Sequence, residues 1–124
     1  MGKYLSNVLY VLQIKYNNDL NGGIQFGSIS TSYGNVHRAR FGKNLGFLYF
    51  ESGTNSLPNG NTTLLSASDL SYVPTKSITV QCISSGTYKC NAMVDSINGF
   101  RIINSYGSAL NWITAYIIFP MTGI

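Results

Sequence analysis

Trp112-Ile-Thr-Ala-Tyr-Ile-Ile-Phe-Pro120 reads as a β-strand. Aromatic and β-branched residues dominate it, and Pro120 ends the ladder because it has no N–H to donate. Successive side chains of a strand point to opposite faces. Trp112, Thr114, Tyr116 and Ile118 therefore share one face, and Ile113, Ala115, Ile117 and Phe119 share the other. Both rows are largely apolar, and a strand apolar on both sides is expected to be covered on both sides. In a short all-β chain that means the middle of a sandwich, or a sheet face closed by another subunit.

The rest of the chain reads as strands and turns gathered around this one. Leu45–Phe50 is a clear strand, and Val36–Phe41 alternates Val/Arg/Arg against His/Ala/Phe. Ile24–Ser30 and Thr62–Leu65 read as shorter strands. Ser77–Ile83 and Tyr88–Val94 flank Ser84-Ser-Gly-Thr87, a hairpin signal. Asn98-Gly99 is a turn of the type favoured in two-residue hairpins, followed by a strand over 100–103. Gly53–Gly60 reads as a polar loop. Val8–Tyr16 has a period of two and reads as a strand, with a helix as the rival reading. Short strands separated by turns argue for an all-β antiparallel sandwich or a barrel, of which the sandwich is the expected fold. The 124 residues suffice for one domain. Residues 1–35 form its N-terminal strands and 36–119 its core.

Composition narrows the function classes. Charged residues make up 10% of the chain, against ~25% in an average domain. The surface must then be built from Ser, Thr, Asn, Gly and Tyr. The formal charge is +4, but the basic residues are scattered, which argues against nucleic-acid binding. No targeting segment is evident, and Leu5–Tyr16 is too short and too polar to insert in a membrane. One histidine and four acids leave little from which to build a metal site or a catalytic carboxylate pair. No phosphate loop, nucleophile elbow or zinc spacing occurs, so neither an enzyme nor a cofactor is expected. Cys82 and Cys90 fall opposite each other if the hairpin turn centres on Gly86. A bridge is geometrically open to them, but two small buried thiols are the preferred reading.

An ordered set of motifs carries a family resemblance. Gly42-Lys-Asn-Leu-Gly-Phe-Leu-Tyr-Phe-Glu-Ser-Gly53, Leu57-Pro-Asn-Gly60 with Leu64-Leu65, and Tyr72-Val-Pro74 with Ile78-Thr-Val80 follow in that order. Asn98-Gly-Phe-Arg-Ile102 and the final Trp112-to-Ile117 strand complete it. Together they resemble the receptor-binding head domains of tail fibres and baseplates in phages of Gram-positive bacteria. The resemblance implies a small antiparallel β-sandwich of jelly-roll or Greek-key type that trimerises and is assembled in the host cytoplasm onto the virion tail tip. It further implies binding to a bacterial cell-surface saccharide, with other tail or baseplate proteins as partners. The first 35 residues show no coiled-coil neck, and no binding residue transfers by motif.

Candidate ligand residues come from residue chemistry instead. His37, Arg38 and Arg40 form the one compact basic group, suited to donating to hydroxyls or to phosphate. Tyr33, Tyr72, Tyr88 and Tyr106 lie in or beside turns, where a ring can meet a sugar or a protein. Trp112 is read first as a core residue and second as a platform for a sugar face. Asp95 and Arg101 flank the Asn98-Gly99 turn and are placed to pair across it.

Overall fold

The structure is a computed structural model that describes residues 24–42, 45–70 and 74–121. The strand read over Val8–Tyr16 and the candidate Tyr72 lie outside these residues. The expected all-β antiparallel class is what forms. Among the described residues eight strands appear in chain order: β1 Ile24–Thr31, β2 Gly34–Phe41, β3 Leu45–Glu51, β4 Gly60–Leu65, β5 Ile78–Ser84, β6 Thr87–Asp95, β7 Gly99–Asn104 and β8 Ile113–Pro120. A single turn of 3₁₀-helix, Ser68–Leu70, interrupts the connection from β4 to β5.

All eight strands are hydrogen-bonded into one sheet in the order β1-β2-β3-β8-β5-β6-β7-β4. Consecutive strands β5, β6 and β7 form a meander, and β4 returns to lie beside β7, which is a Greek-key arrangement. The ladder between β8 and β5 is short, pairing only Ile83 with Thr114 and Ser84 with Ile113. It joins two four-stranded halves at one end. The sandwich expected from sequence is thus realised as a single curled sheet. Val36, Leu48, Phe50, Ala115 and Phe119 from one half share a core cluster with Cys82, Ala92, Val94, Phe100 and Ile102 from the other. Leu57, Leu70 and Leu110 from the connecting loops fill the same cluster. Burial of these apolar side chains out of water is the main force holding the curl.

Of the two covers expected for β8, the described residues supply one. The strand begins at Ile113, and only its Ile113, Ala115, Ile117, Phe119 row is buried. Tyr116 and Ile118 on the other row are 58% and 61% exposed, so that face is left open among the described residues. The Asn98-Gly99 turn is also longer than expected. Asp95 pairs with Gly99, which leaves Ser96–Asn98 as a three-residue loop. Gly99 has φ 77°, in the region that glycine adopts without penalty. Three-residue hairpin loops commonly end on such a residue.

Asp95 organises this loop. Its Oδ1 accepts the N–H groups of Asn98 at 2.6 Å and Ile97 at 2.9 Å. Its Oδ2 lies 3.2 Å from Nη2 of Arg101, the pairing expected from sequence. The Asn98 N–H is the main reason the Asp95 carboxyl is held below its ordinary range. Because the folded value is depressed, the stabilisation is present above the unfolded pKa of ~3.9 and is lost as pH falls through the folded value. Asp95→Asn should flatten the acid limb of the stability profile, read by urea denaturation at stepped pH. An unchanged acid limb would mean that Asp95 does not contribute.

Gly99 gives a second prediction. A Cβ there would lie 2.1 Å from the Leu65 carbonyl oxygen, whereas one on Gly53, at φ 57°, meets nothing within 4 Å. Gly53→Ala should cost about 1–2 kcal/mol from backbone strain alone. Gly99→Ala should cost clearly more in the same denaturation assay, because strain and collision combine.

Candidate functional site

The register places named side chains in rows across the outer face of the first half. Phe26, Ala39, Phe47 and Ile118 form one row over β1, β2, β3 and β8. Ser28, His37, Tyr49 and Tyr116 form the next, and Ser30, Asn35, Glu51 and Thr114 the third. The face thus grades from apolar through aromatic to polar. Phe41 and Leu45 extend its apolar end. There the small Ala39 floors a groove of about 600 Å³ walled by Phe26, Phe41, Phe47 and Ile118. Phe26 is 76% exposed, a costly position for so large an apolar ring.

Ring contacts bind these rows together. His37 stacks on Tyr49 at 5.7 Å between centroids, and Tyr49 meets Tyr116 at 4.6 Å. Phe26 meets Phe41 edge-on at 6.3 Å. The Ser28 hydroxyl lies 2.7 Å from His37 Nδ1, and the Tyr49 hydroxyl donates to Glu51 Oε1.

The outer face of the second half has the opposite character. Gln81, Asn91, Ile103 and Asn61 form one row across β5, β6, β7 and β4, and Thr79, Met93, Arg101 and Thr63 form another. Amides and hydroxyls dominate here. A cleft of about 250 Å³ opens beside the first of these rows, lined by Gln81, Tyr88, Lys89, Asn91, Ser105 and Tyr106 among others.

The residues singled out from sequence do not form one site. His37 lies on the outer face, with the aromatic row. Arg38 and Arg40 alternate to the inner side, where their register partners are Leu48 and Gly46 of β3. Arg38 Nη1 donates to the Asp69 carbonyl at 2.6 Å, tying β2 to the 3₁₀ turn. The basic group of the sequence is therefore split by the period of the strand. Tyr33 is half-buried and packs against the core from the β1–β2 turn. Tyr106 is exposed in the loop between β7 and β8 and lines the polar cleft.

Trp112 is not the core residue that its place in the sequence suggests. It sits in the turn before β8 and is 55% exposed, with φ 52°. Such a backbone conformation is an outlier for a bulky residue. Its N–H donates to the Gly53 carbonyl at 2.7 Å and its own carbonyl accepts from Ser85 N–H at 3.2 Å. Ser84 Oγ donates to the neighbouring Asn111 carbonyl at 2.6 Å. These bonds hold the turn in place and leave the indole free to face outward. Strain at an exposed aromatic residue is a pattern found at ligand contacts.

Cys82 and Cys90 are register partners, as the hairpin reading places them, and both are free buried thiols. Their mutual hydrogen bond and burial push the Cys82 thiol up, while that bond from Cys82 lowers Cys90. A scan against protein-family models finds no match, and no curated protein and no solved structure matches the chain.

Trp112→Ala should therefore fold with a loss well short of the ~3–5 kcal/mol expected of a buried Trp. Arg38→Ala should lower the melting temperature, since it removes the bond from β2 to the Asp69 carbonyl. Thermal unfolding followed by circular dichroism checks both. The reverse ranking would restore Trp112 to the core.

Proposed function

We propose that this protein is a non-enzymatic recognition module, a tail-tip head of the phage receptor-binding type. In this reading it self-associates through the outer face of β1-β2-β3-β8 and binds bacterial cell-surface saccharide elsewhere on its surface. The observation that carries the reading is the graded face, on which Phe26, Phe41, Leu45, Phe47 and Ile118 surround a groove. An exposed, contiguous apolar patch rimmed by polar residues is characteristic of an interaction surface.

A second copy of the chain is the occupant that suits this face. Copies of a chain with formal charge +4 repel each other unless the contact avoids charge. Among the described residues, His37 and Arg38 join the apolar side chains in lining the groove, and Glu51 lies two rows from the Phe26–Ile118 row. Most of the lining is uncharged, so two such faces can meet over apolar side chains. A homotrimer is the state that the family resemblance implies, and other tail or baseplate proteins would meet the assembled surface. Among the described residues the sheet edges are β1 and β4, which offer further backbone groups for such partners. Without a ligand, the same face would serve a purely structural spike domain, which is the competing reading.

Phe26→Asp and Ile118→Asp test the assembly, because both side chains are already exposed and the fold should survive. Each should weaken self-association at least about tenfold, the equivalent of ~1.4 kcal/mol, in light scattering across a concentration series. A wild-type protein that stays monomeric at micromolar concentration would overturn the assembly. Adhesion of the fluorescently labelled wild type to intact Gram-positive cells tests recognition. A folded oligomer that adheres to none of a broad host panel would leave the spike reading in its place.

A further inference from the structure

We infer that the cleft of β5, β6 and the β7–β8 loop is a monosaccharide subsite, built from Gln81, Tyr88, Lys89, Asn91, Ser105 and Tyr106. The inference rests on the recognition reading and names the place where the sugar sits. The first support is chemistry. Gln81 and Asn91 face each other across the β5–β6 ladder, each offering an amide that both donates and accepts. Ser105 adds a hydroxyl and Lys89 an ammonium. Tyr88 and Tyr106 are 66% and 56% exposed, so two ring faces stand beside these polar groups. A pyranose needs this mixture, because its hydroxyls require paired donors and acceptors while its C–H face packs on an aromatic ring.

The second support is that the cleft is constructed by the fold. The β5–β6 register shifts between Cys82, which pairs with Cys90, and Ile83, which pairs with Tyr88. Lys89 is thereby left unpaired at a bulge, a device that re-aims side chains. Its Nζ lies 5.4 Å from the centre of the Tyr106 ring, a cation–π contact that sets one wall. The Tyr106 loop is held from beneath by the buried Asn104. Asn104 Nδ2 donates to the Ser108 carbonyl at 2.8 Å and its Oδ1 accepts the Tyr106 N–H at 3.0 Å. Gly107 N–H donates to Asn59 Oδ1 at 2.9 Å. A site fixed before the ligand arrives loses less entropy on binding.

Size selects the ligand. At about 250 Å³ the cleft is smaller than the ~300 Å³ at which pockets for drug-sized molecules begin. It admits one sugar ring and leaves the rest of a polysaccharide outside. The polar outer rows of β5-β6-β7-β4 lie beside it as a continuing track for the neighbouring residues of the glycan.

Saturation-transfer NMR on the full chain tests the subsite, with methyl glycosides of glucose, galactose and N-acetylglucosamine as probes. At least one should receive saturation, with millimolar affinity. Tyr106→Ala and Gln81→Ala should each weaken it about tenfold or more, as expected for loss of a stacked ring or of paired hydroxyls. Gln81 lies on an exposed strand position, so its variant keeps the test readable if Tyr106→Ala disturbs the loop. Tyr106→Phe should retain most of the affinity, because the ring face does the stacking. No transfer to any probe, or transfer unchanged in both Ala variants, would overturn the subsite. Cell adhesion that survives both Ala variants would also overturn it while leaving the recognition reading intact. Failure of the wild type to adhere would instead overturn the recognition reading, and the NMR result would still decide the cleft.

Discussion

β8 is the constraint on which the other strands depend. It pairs with β3 from Thr114 to Pro120 and with β5 at its first two residues, so it belongs to one half of the sheet and barely to the other. A long ladder there would hold the halves in one twisted plane and leave the apolar inner face of β5-β6-β7 without a partner. The short ladder lets the sheet curl, and the buried row of β8 then meets Cys82, Ala92 and Ile102 in one core. The buried hydroxyls of Ser52 and Ser84 secure this hinge. Ser52 Oγ accepts the Ile113 N–H at 2.8 Å, and Ser84 holds the Asn111 carbonyl. Each keeps a backbone group satisfied where the regular ladder ends and water is excluded.

Curling gives the outer surface two characters. The half that contains β8 carries rings and aliphatic side chains outward, and the other half carries amides and hydroxyls. Apolar contact on one half and hydroxyl recognition on the other need not compete, because they occupy different strands. The graded rows sharpen the separation: the Phe26–Ile118 row is the most apolar, and Glu51 and Asn35 lie two rows away.

Much of this organisation is legible in the sequence, and what is not has definite causes. Ile24–Ser30, Leu45–Phe50 and the hairpin around Gly86 declare themselves through β-branched residues and turn chemistry. Ser85 and Gly86 both adopt positive φ, as a two-residue hairpin turn requires. The two apolar rows of β8 are equally visible, but their apolarity alone does not say whether the second cover is the same chain or another. The grouping of His37 with Arg38 and Arg40 fails for a reason present in the sequence itself. Adjacent strand residues face opposite ways, so nearness along the chain is separation across the sheet. Trp112 is harder to see: its position turns on a positive φ set by bonds to Gly53 and Ser85, which are distant in sequence. Gln81, Asn91, Ser105 and Tyr106 come together only through register and a bulge, and turn residues alone signal neither.

Weak local recognition and self-association are physically suited to each other. A shallow cleft that holds one sugar ring makes few contacts, so its affinity is limited to roughly the millimolar range. Rigid neighbours cannot raise that much, since most of the ligand surface stays wet. Copies joined through the apolar half, however, would carry their polar halves outward on the opposite strands. In the proposed assembly each occupied cleft would raise the effective concentration of glycan at the next, and the assembly would hold a polysaccharide far more tightly than one chain. The angle at which the β8–β5 hinge sets one half against the other would then aim the clefts relative to the proposed interface. A change at Ser52 or Ser84 would act there, altering multivalent binding while leaving both the single cleft and the apolar face chemically intact.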